Sequence, residues 1–479
     1  MNSITKPDPE NSINRAIKRA ILDSRQETLN WLVVDHEFNE EDAIEIEAQI
    51  ANTVIARMKD TFSFRTGPRT FQLGFLAEQL EPAIPDHSDF VNWTFTAASI
   101  LIYQSIGDTI GYYNGKWEFN HGNPYESPEY VNELLYEYIH LGGINDMDTH
   151  GWLASDDTVL YMATFDTLLS GFSTIDQYGQ RLRRSYLQAL PSIVDRDPGI
   201  TTIESLREQR KFKSWTMLPY NPKALGNGSA MRSGSIGILL PGSTNRPQLI
   251  ALATETSRLT HNSASAILGS ITSALFTSLA IEREPINIWP RKLLELIDSD
   301  LIDGYLQQSR PQEYDLYVRD RVLFTGQWRK YLDLLFVGGK PRLDIKIMVN
   351  AVQRFKYLSD NFSKDCDIPG GCAHDALIMA YDALVRCNGS IEKLLVYSIL
   401  HPGDSDTVGS IAFSWFAAYY DSPYNETVMA HFRSNLEFKD EIEDLTKLSV
   451  LPLVGAYYRG IYSGYADEAI QQYVAQKKG

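Results

Sequence analysis

The sequence has few cysteines and no long apolar run, and both shortages limit what the protein can be. Its 479 residues include three cysteines, Cys366, Cys372 and Cys387, without the paired spacing of a metal-binding motif. We therefore predict three reduced thiols and no disulfide framework. Nowhere do about 18 apolar residues follow one another, and the N-terminal residues carry charges where a signal peptide is apolar. We expect a soluble, cytoplasmic protein that does not contact a membrane.

Basic residues are also scarce. Lys and Arg number 44 against 61 Asp and Glu, which gives a formal charge of -17 at pH 7. Because nucleic-acid binding needs a basic surface that displaces counterions from phosphates, we do not expect a nucleic-acid partner. An acidic surface instead suits cations or a basic protein.

The alternation of apolar and polar residues that marks half-buried strands is sparse. The long segments after about residue 94 show helical spacing with many small residues, as in 255–281 and 408–420. Small side chains let helices approach one another closely. With 43% apolar residues the chain can form a packed core, and we predict an all-α helical bundle.

The first 92 residues differ in composition from the rest. They hold nine Lys or Arg against sixteen Asp or Glu, and the stretch 35–47 has seven acids and no Lys or Arg. Apolar residues such as Trp31 and Ile44 make the segment too apolar for a disordered tail. We predict an acidic helical accessory domain at 1–92 and a main domain at 93–479.

Two short acidic clusters each precede an apolar helical segment. Either cluster alone is typical of a helix N-cap, where Ser, Thr and Asp are favoured. A cap uses one side-chain oxygen, however, and adjacent carboxylates repel one another unless a cation lies between them. Oxygen ligands without His or thiolate favour Mg²⁺, Mn²⁺ or Ca²⁺, so converging clusters would form a two-ion site. The first acidic cluster is Ser155, Asp156 and Asp157, and the second is Asp404, Asp406 and Thr407.

A glycine-containing loop at 226–229, with the sequence Gly-Asn-Gly-Ser, precedes a helical segment. Backbone N–H groups in such a loop can bind an anion, and a diphosphate would fit. A loop of this kind is more often only a turn. Arg232 could reach a phosphate or form a structural ion pair, and the sequence leaves both open.

The segment 107–119, GDTIGYYNGKWEF, combines three glycines with aromatic residues and an acid. A buried turn needs glycine but not this density of polar and aromatic side chains. We interpret the segment as a pocket wall, in which Glu118 can meet a guanidinium and the aromatic rings can stack.

Six segments occur along the chain in this order: GDTIGYYNGKWEF, LGGINDMDTHGWLASDDT, GNGSAMR, SRLTH, HDALIMAYDAL and GDSDT. Together they resemble the ADP-ribosylglycohydrolases, in which such segments occur in the same order. Within the family, GYYNGKWEF resembles the arginine-specific hydrolases rather than the serine-specific branch. Ala373 and Pro402 replace glycines that are usual in the family, but every metal-ligand position is retained, which disfavours an inactive crystallin-like relative.

The resemblance implies an all-α fold with two Mg²⁺ ions, or Mn²⁺, held by the two acidic clusters. It implies release of ADP-ribose from protein arginine, with ADP-ribosylserine or another conjugate as the alternative substrate. Asp156 or Asp157 would move the proton and Glu118 would lie near the scissile bond. His261 is a family position that could equally be a core histidine. The implied substrate contacts are Tyr112, Tyr113, Asn114, Gly226, Asn227, Gly228, Ser229 and His374.

The acidic accessory domain at 1–92 lies outside the resemblance. One hypothesis is that it binds and blocks an ADP-ribosyltransferase toxin, which would make the chain an immunity protein that also reverses the modification. The alternatives are that the segment packs on the main domain or mediates self-association, or that the whole chain is a binding protein without enzyme activity.

Overall fold

The chain divides into two compact units, residues 1–95 with 447–479 and residues 96–446. Most of the predicted accessory domain falls outside the described residues, so its boundary at residue 92 stays a prediction. The computed structural model describes residues 29, 32–33, 38–49, 88–118, 128–343, 345–420 and 423–445.

Helices make up nearly all of the regular structure in the described residues, which confirms the all-α prediction. The strands described are β1 (Phe336–Val337) and β2 (Lys340–Pro341), which pair antiparallel. The helices of the described chain are α1 (Ser88–Tyr112), α2 (Pro128–His140), α3 (Gly143–Asp146), α4 (Asp156–Leu169), α5 (Ile175–Ile193), α6 (Ile200–Gln209), α7 (Ala230–Leu239), α8 (Arg246–Arg258), α9 (Ala264–Ile281), α10 (Trp289–Ile297), α11 (Asp300–Ser309), α12 (Tyr314–Leu335), α13 (Ala351–Phe362), α14 (Ala373–Cys387), α15 (Ile391–Ser398), α16 (Ser405–Tyr419) and α17 (Pro423–Asn435).

Helix α9 forms the centre of the larger unit, because every residue on it is buried. Its small side chains let α7 lie so close that a Cβ on Gly237 would sit 2.1 Å from the carbonyl oxygen of Ala274. By length and composition α9 is the one helix of the described chain that could cross a membrane. Since 94% of that segment is buried inside the protein, α9 is a core helix.

Helices α1 and α16 approach each other through glycines. A Cβ on Gly107 would lie 2.6 Å from the carbonyl oxygen of Gly409, and a Cβ on Gly111 would lie 2.5 Å from the carbonyl oxygen of Ser405. Ser405 Oγ also donates a hydrogen bond to the Gly111 carbonyl oxygen over 2.8 Å. The glycine contact therefore brings the polar residues of α1 beside the N-terminus of α16.

The described part of the smaller unit contains a helical segment at 40–49. Asn39 caps this segment, because its Oδ1 accepts the N–H of Asp42 at 2.9 Å. Ala43 is buried on the helix, whereas Glu40 and neighbouring acids are exposed. Some of the acids between residues 35 and 47 therefore lie on the solvent-facing side of a helix.

Candidate functional site

The first acidic cluster begins helix α4. Ser155 is the N-cap, and its Oγ accepts the N–H of Asp157 at 3.1 Å. The same hydroxyl donates a hydrogen bond to Asp108 of α1 at 2.6 Å. Because Ser155 does the capping, the carboxyl groups of Asp156 and Asp157 are left to line a cavity.

The second acidic cluster begins helix α16. Asp404 is the N-cap, with Oδ1 accepting the N–H of Thr407 at 3.3 Å and Oδ2 accepting the side-chain amide of Asn227 at 2.7 Å. Asp406 and Thr407 line the same cavity as the first cluster. Thr407 Oγ1 lies 3.3 Å from Asp157 Oδ1, so the two helix N-termini converge.

The carboxyl groups of the two clusters destabilise one another's charged forms. Burial raises the pKa of Asp156 and of Asp157 well above the usual range, and the nearby Asp406 raises both further. Burial and the charge of Asp404 likewise raise the pKa of Asp406. Burial raises the pKa of Asp404 to about 6. A donor set of crowded, buried carboxyl and hydroxyl oxygens fits a hard divalent cation, which would offset the repulsion.

Sequence reasoning missed Asp108, which holds the N-terminus of α4 in place. This fully buried residue accepts hydrogen bonds from the Ser155 hydroxyl at 2.6 Å and from the N–H of Thr158 at 3.2 Å. Burial raises the pKa of Asp108 to about 7, and Asp406 adds to the shift. Its partners belong to the protein, so we interpret it as a positioning residue. In the sequence, the position of Asp108 within the apolar segment of α1 could have indicated this role.

The glycine-containing loop forms another wall of the cavity, with Gly226, Asn227 and Gly228 exposed to it. A Cβ on Gly228 would lie 2.8 Å from His261 Cε1, so glycine is needed for the close approach of loop and ring. Ser229 is fully buried behind the wall and donates a hydrogen bond to a backbone carbonyl of α9.

Arg232 lies beneath this loop and is fully buried. Its guanidinium donates hydrogen bonds to the carbonyl oxygens of Gly228 at 2.7 Å and Thr256 at 2.9 Å. It forms no ion pair with any described residue, so the structural ion pair is not observed, and a contact with a phosphate stays a prediction. Its charge helps to lower the pKa of His261 to about 3, although burial is the larger cause, so the His261 ring is neutral.

Glu118 also lines the cavity and is 2% exposed. Its Oε2 is buried and has no hydrogen-bond partner among the described residues. Burial raises the pKa of Glu118 well above its usual value, with further contributions from Asp406 and Asp404. A buried carboxyl oxygen without a partner next to a cavity is available to a ligand.

The other predicted contacts of this segment are made within the protein, and their roles toward a substrate stay predictions. Asp197, which sequence reasoning did not single out, lines the cavity. Tyr112 donates a hydrogen bond to Asp197 at 3.3 Å, the Tyr113 ring stacks on Trp152 with centroids 3.9 Å apart, and Asn114 Oδ1 accepts the N–H of Leu153 at 2.7 Å.

The prediction of three reduced cysteines is wrong for two of them. Cys366 and Cys372 form a disulfide, with their Cα atoms 5.7 Å apart, whereas Cys387 is free and buried. The segment turns back on itself at Gly370, whose φ of +86° suits glycine. The spacing of the cysteines in the sequence does not show that the chain turns between Cys366 and Cys372. The disulfide was therefore not predicted.

The disulfide loop, residues 366–372, joins the glycine-containing loop to the second acidic cluster. The carbonyl oxygen of Gly370 accepts the side-chain amide of Asn227 at 2.8 Å, and that of Pro369 accepts the N–H of Asp404 at 2.9 Å. His374 follows the loop and is fully buried, with Nε2 3.1 Å from the carbonyl oxygen of Phe362. Its predicted substrate contact stays a prediction.

The cavity has a volume of about 440 Å³, which is in the range of small-molecule sites. It combines the carboxyl and hydroxyl oxygens of the two acidic clusters, the glycine-containing loop and a buried carboxyl oxygen that has no partner among the described residues. This combination is typical of a hydrolase that acts on a phosphate-bearing substrate.

Comparison with known proteins identifies the family. Residues 97–459 match the family model of the ADP-ribosylglycohydrolases. A protein of Acanthamoeba polyphaga mimivirus, provisionally named ADP-ribosyl glycohydrolase L444, is 48% identical over 469 residues, which cover 96% of this chain and 90% of that protein. ADP-ribosylhydrolase ARH1 of Dictyostelium discoideum is 29% identical over 371 residues, covering 72% of this chain and 91% of that protein.

A solved ADP-ribosylglycohydrolase-related protein complex has a TM-score of 0.45 and 19% identity, and the match covers 75% of this chain and 98% of the other. The family match spans most of the sequence, so the chain belongs to the ADP-ribosylglycohydrolase family, whose members hydrolyse ADP-ribose conjugates and generally depend on divalent metals. The family predicted from the six ordered segments is confirmed.

Proposed function

We propose that this chain hydrolyses the bond between ADP-ribose and the arginine side chain of modified proteins, with two Mg²⁺ ions as its cofactors. The supporting observation is the charge of the cavity, where eight carboxyl groups face a single lysine, Lys223. A guanidinium is a cation that such a cavity attracts, whereas a serine hydroxyl gains nothing from the charge. The eight acids are Glu118, Asp156, Asp157, Asp197, Asp365, Asp367, Asp404 and Asp406.

The diphosphate of this substrate is itself anionic, so an acidic cavity can bind it only when cations offset the carboxylates. Bound Mg²⁺ ions would supply Lewis acidity and would orient the reacting ribose and water. The N–H group of Asn227 donates to the carbonyl oxygen of Gly371 at 3.1 Å, so the anion would bind the other N–H groups of the glycine-containing loop. The residues that would hold the ions are Ser155, Asp156, Asp157, Asp404, Asp406 and Thr407.

In this proposal, buried carboxyl groups donate a proton to the leaving arginine and accept one from the attacking water. Glu118 has a raised pKa and a free Oε2, so it can hold a proton next to the departing arginine. Asp156 and Asp157 are the candidates that accept the proton of the attacking water, and burial beside other acids makes each a stronger base.

The test is to incubate the full chain with matched peptides carrying ADP-ribose on arginine or on serine, with Mg²⁺ or with excess EDTA. We expect release of free ADP-ribose from the arginine peptide in Mg²⁺ alone. Release that persists in EDTA would contradict the metal assignment. Release of ADP-ribose from the serine peptide only would assign the chain to the serine-specific branch of the family. No release from either peptide would favour a binding protein.

A partner function of residues 1–92 belongs to the same proposal. The segment lies before the family match, which begins at residue 97, and carries a net negative charge. We propose that it binds an ADP-ribosyltransferase toxin and blocks it, as an immunity protein would. Glu40 and Glu41 are exposed on the helical segment 40–49, so Glu40→Gln with Glu41→Gln tests the contact in the full chain. Unchanged binding and inhibition of an arginine-specific transferase, relative to the wild type, would argue against docking through this helix.

A further inference from the structure

A second cavity, of about 730 Å³, lies between helix α5 and the segment that follows α6. It shares no lining residue with the acidic cavity. The second cavity is lined by Gln180, Arg183, Arg184, Leu187, Gln188, Arg210, Lys213, Ser214 and Trp215.

One wall of this basic cavity is a single face of α5. Its residues 180, 183, 184, 187 and 188 recur at intervals of three and four, which places them on the same side of the helix. Residues 210–215 form the opposite wall. Arg183 joins the two walls, because its Nη2 donates hydrogen bonds to the carbonyl oxygens of Gln209 and Phe212.

The opposite wall is fixed at its far end as well. Trp215 Nε1 donates a hydrogen bond to Asp176 at the start of α5 over 2.8 Å, and Gln209 Nε2 donates to the carbonyl oxygen of Trp215 over 3.1 Å. The cationic side chains of Arg210 and Lys213 therefore extend from a backbone that is tied to α5 on both sides. Such a site needs little rearrangement to bind a ligand.

The charge of this cavity contrasts with the rest of the chain. Four of its nine lining residues are cations and none is an acid, although the whole chain carries a formal charge of -17. Arg184, Arg210 and Lys213 form no ion pair with the described residues, and nearby Glu208 is taken by Lys211 at 2.6 Å. Unpaired like charges around one cavity repel one another, and an anion would relieve that repulsion.

We propose that the basic cavity is a binding site for a compact phosphate-bearing anion such as a nucleoside diphosphate. Salt limits the reach of surface charges to about 8 Å at physiological ionic strength, so the cluster acts only within its own cavity. A long polyanion would extend beyond it onto a chain with a large negative charge. This disfavours nucleic acid and favours a ligand that fits inside.

The experiment uses the full chain in EDTA, so that metal ions do not contribute, and measures binding of pyrophosphate and of ADP by calorimetry. The test variant is Arg184→Gln, Arg210→Gln and Lys213→Gln together. The control variant removes the same charge at exposed, paired cations, with Arg319→Gln, Arg329→Gln and Lys356→Gln. We expect the test variant to lose one binding site, or at least tenfold in affinity for both anions, and the control variant to match the wild type.

Several results would overturn the proposal. These are no measurable binding to the wild type, equal binding in test variant and wild type, or an equal loss in both variants. An eight-nucleotide single strand that binds more tightly than ADP, and loses binding in the test variant, would make the cavity a nucleic-acid surface instead. If the triple variant fails to fold, Arg184→Gln alone is compared with Arg329→Gln instead. Release of ADP-ribose from modified arginine should be unchanged in every variant.

Discussion

Two groups of buried charge in the larger unit differ in how their charges are balanced. In the paired cluster, Asp382 accepts hydrogen bonds from Arg354 at 2.7 Å, from Arg386 at 2.9 Å and from Tyr331 at 2.9 Å. In the two acidic clusters, the carboxyl groups accept hydrogen bonds from uncharged groups such as Asn227, Thr407 and Ser410, and they form no ion pair with the described residues. Burial alone would raise the pKa of Asp382, yet the two arginines lower it, whereas the pKa of Asp406 is raised.

The difference separates charges that are balanced within the protein from charges that the proposed function assigns to a bound cation. The paired cluster is complete within the protein, so its residues need nothing further. In the proposed function, a bound cation offsets the cost of burying the carboxylates of the acidic clusters. Two aspartates that are equally buried can therefore have a structural or a functional role. The groups that contact each carboxyl distinguish the two roles.

The largest expected effect is on activity. Asp406→Asn should lower kcat/KM for ADP-ribosylarginine by about 1000-fold, because it removes a proposed cation ligand from the centre of the acidic clusters. Asp360→Asn is the matched control, since Asp360 is 61% exposed and pairs only with Lys356. Activity of the Asp406 variant within threefold of the wild type would show that the acidic clusters are structural, like the paired cluster.

The paired cluster and the acidic clusters should respond oppositely, in the free energy of unfolding, when one aspartate is replaced by asparagine. Asp382→Asn leaves two buried arginines without a counter-charge and should lower the free energy of unfolding by about 3 kcal/mol. Asp406→Asn in EDTA removes a repulsive charge and should leave that free energy equal or higher. Urea unfolding of both variants measures the contrast, which disappears if the two variants are destabilised alike.

The pH dependence of stability gives the next contrast. The pKa values of Asp108, about 7, and Asp404, about 6, are raised by burial, so the metal-free folded protein binds more protons than the unfolded chain. Their contribution to stability is present at low pH and is lost as the pH rises from about 4 to about 7. The lowered pKa of Asp382 contributes in the opposite direction, with its stabilisation lost as the pH falls.

Mg²⁺ should offset the loss from the acidic clusters. The rise in melting temperature on adding Mg²⁺ is therefore expected to be larger at about pH 7.5 than at about pH 5, as measured by calorimetry. The Asp406→Asn variant is the control and should show a smaller rise at both pH values. An equal rise in wild type at both pH values would mean that the raised pKa values are not relieved by the ion.

The smallest expected effect comes from the disulfide loop. Closing a loop this short stabilises by about 2 kcal/mol at most, so Cys366→Ser should lower stability by no more than that. Because the loop lines the cavity, the change should raise KM more than it lowers kcat. A reducing agent should bring the wild type to the level of the variant, and a difference that remains under reduction would point to the side chain itself.

Much of the fold and part of the site can be predicted from the sequence. Helical spacing was predicted over 255–281, and the structure has helix there except at 259–263, between α8 and α9. The two acidic clusters do begin helices. Ser155 and Asp108 are 47 residues apart, and their hydrogen bond depends on the packing of α1 against α4, which no local pattern reports. The aromatic residues near Tyr113 posed a similar problem, because stacking within the protein and stacking on a substrate need the same residue types.

For the proposed two-ion site, the glycine contact between α1 and α16 would affect ion selectivity. Helix α1 holds α4 through Asp108 and touches α16 at Gly107, so its backbone sets the spacing between the two groups of oxygen atoms. Mg²⁺ requires oxygen distances of about 2.1 Å and Ca²⁺ about 2.4 Å, so small changes in that spacing favour one ion over the other. A methyl group at Gly107, which does not line the cavity, should shift the relative activation by Mg²⁺ and Ca²⁺. The preference among divalent ions would then depend on the distance between α1 and α16 where the two helices cross.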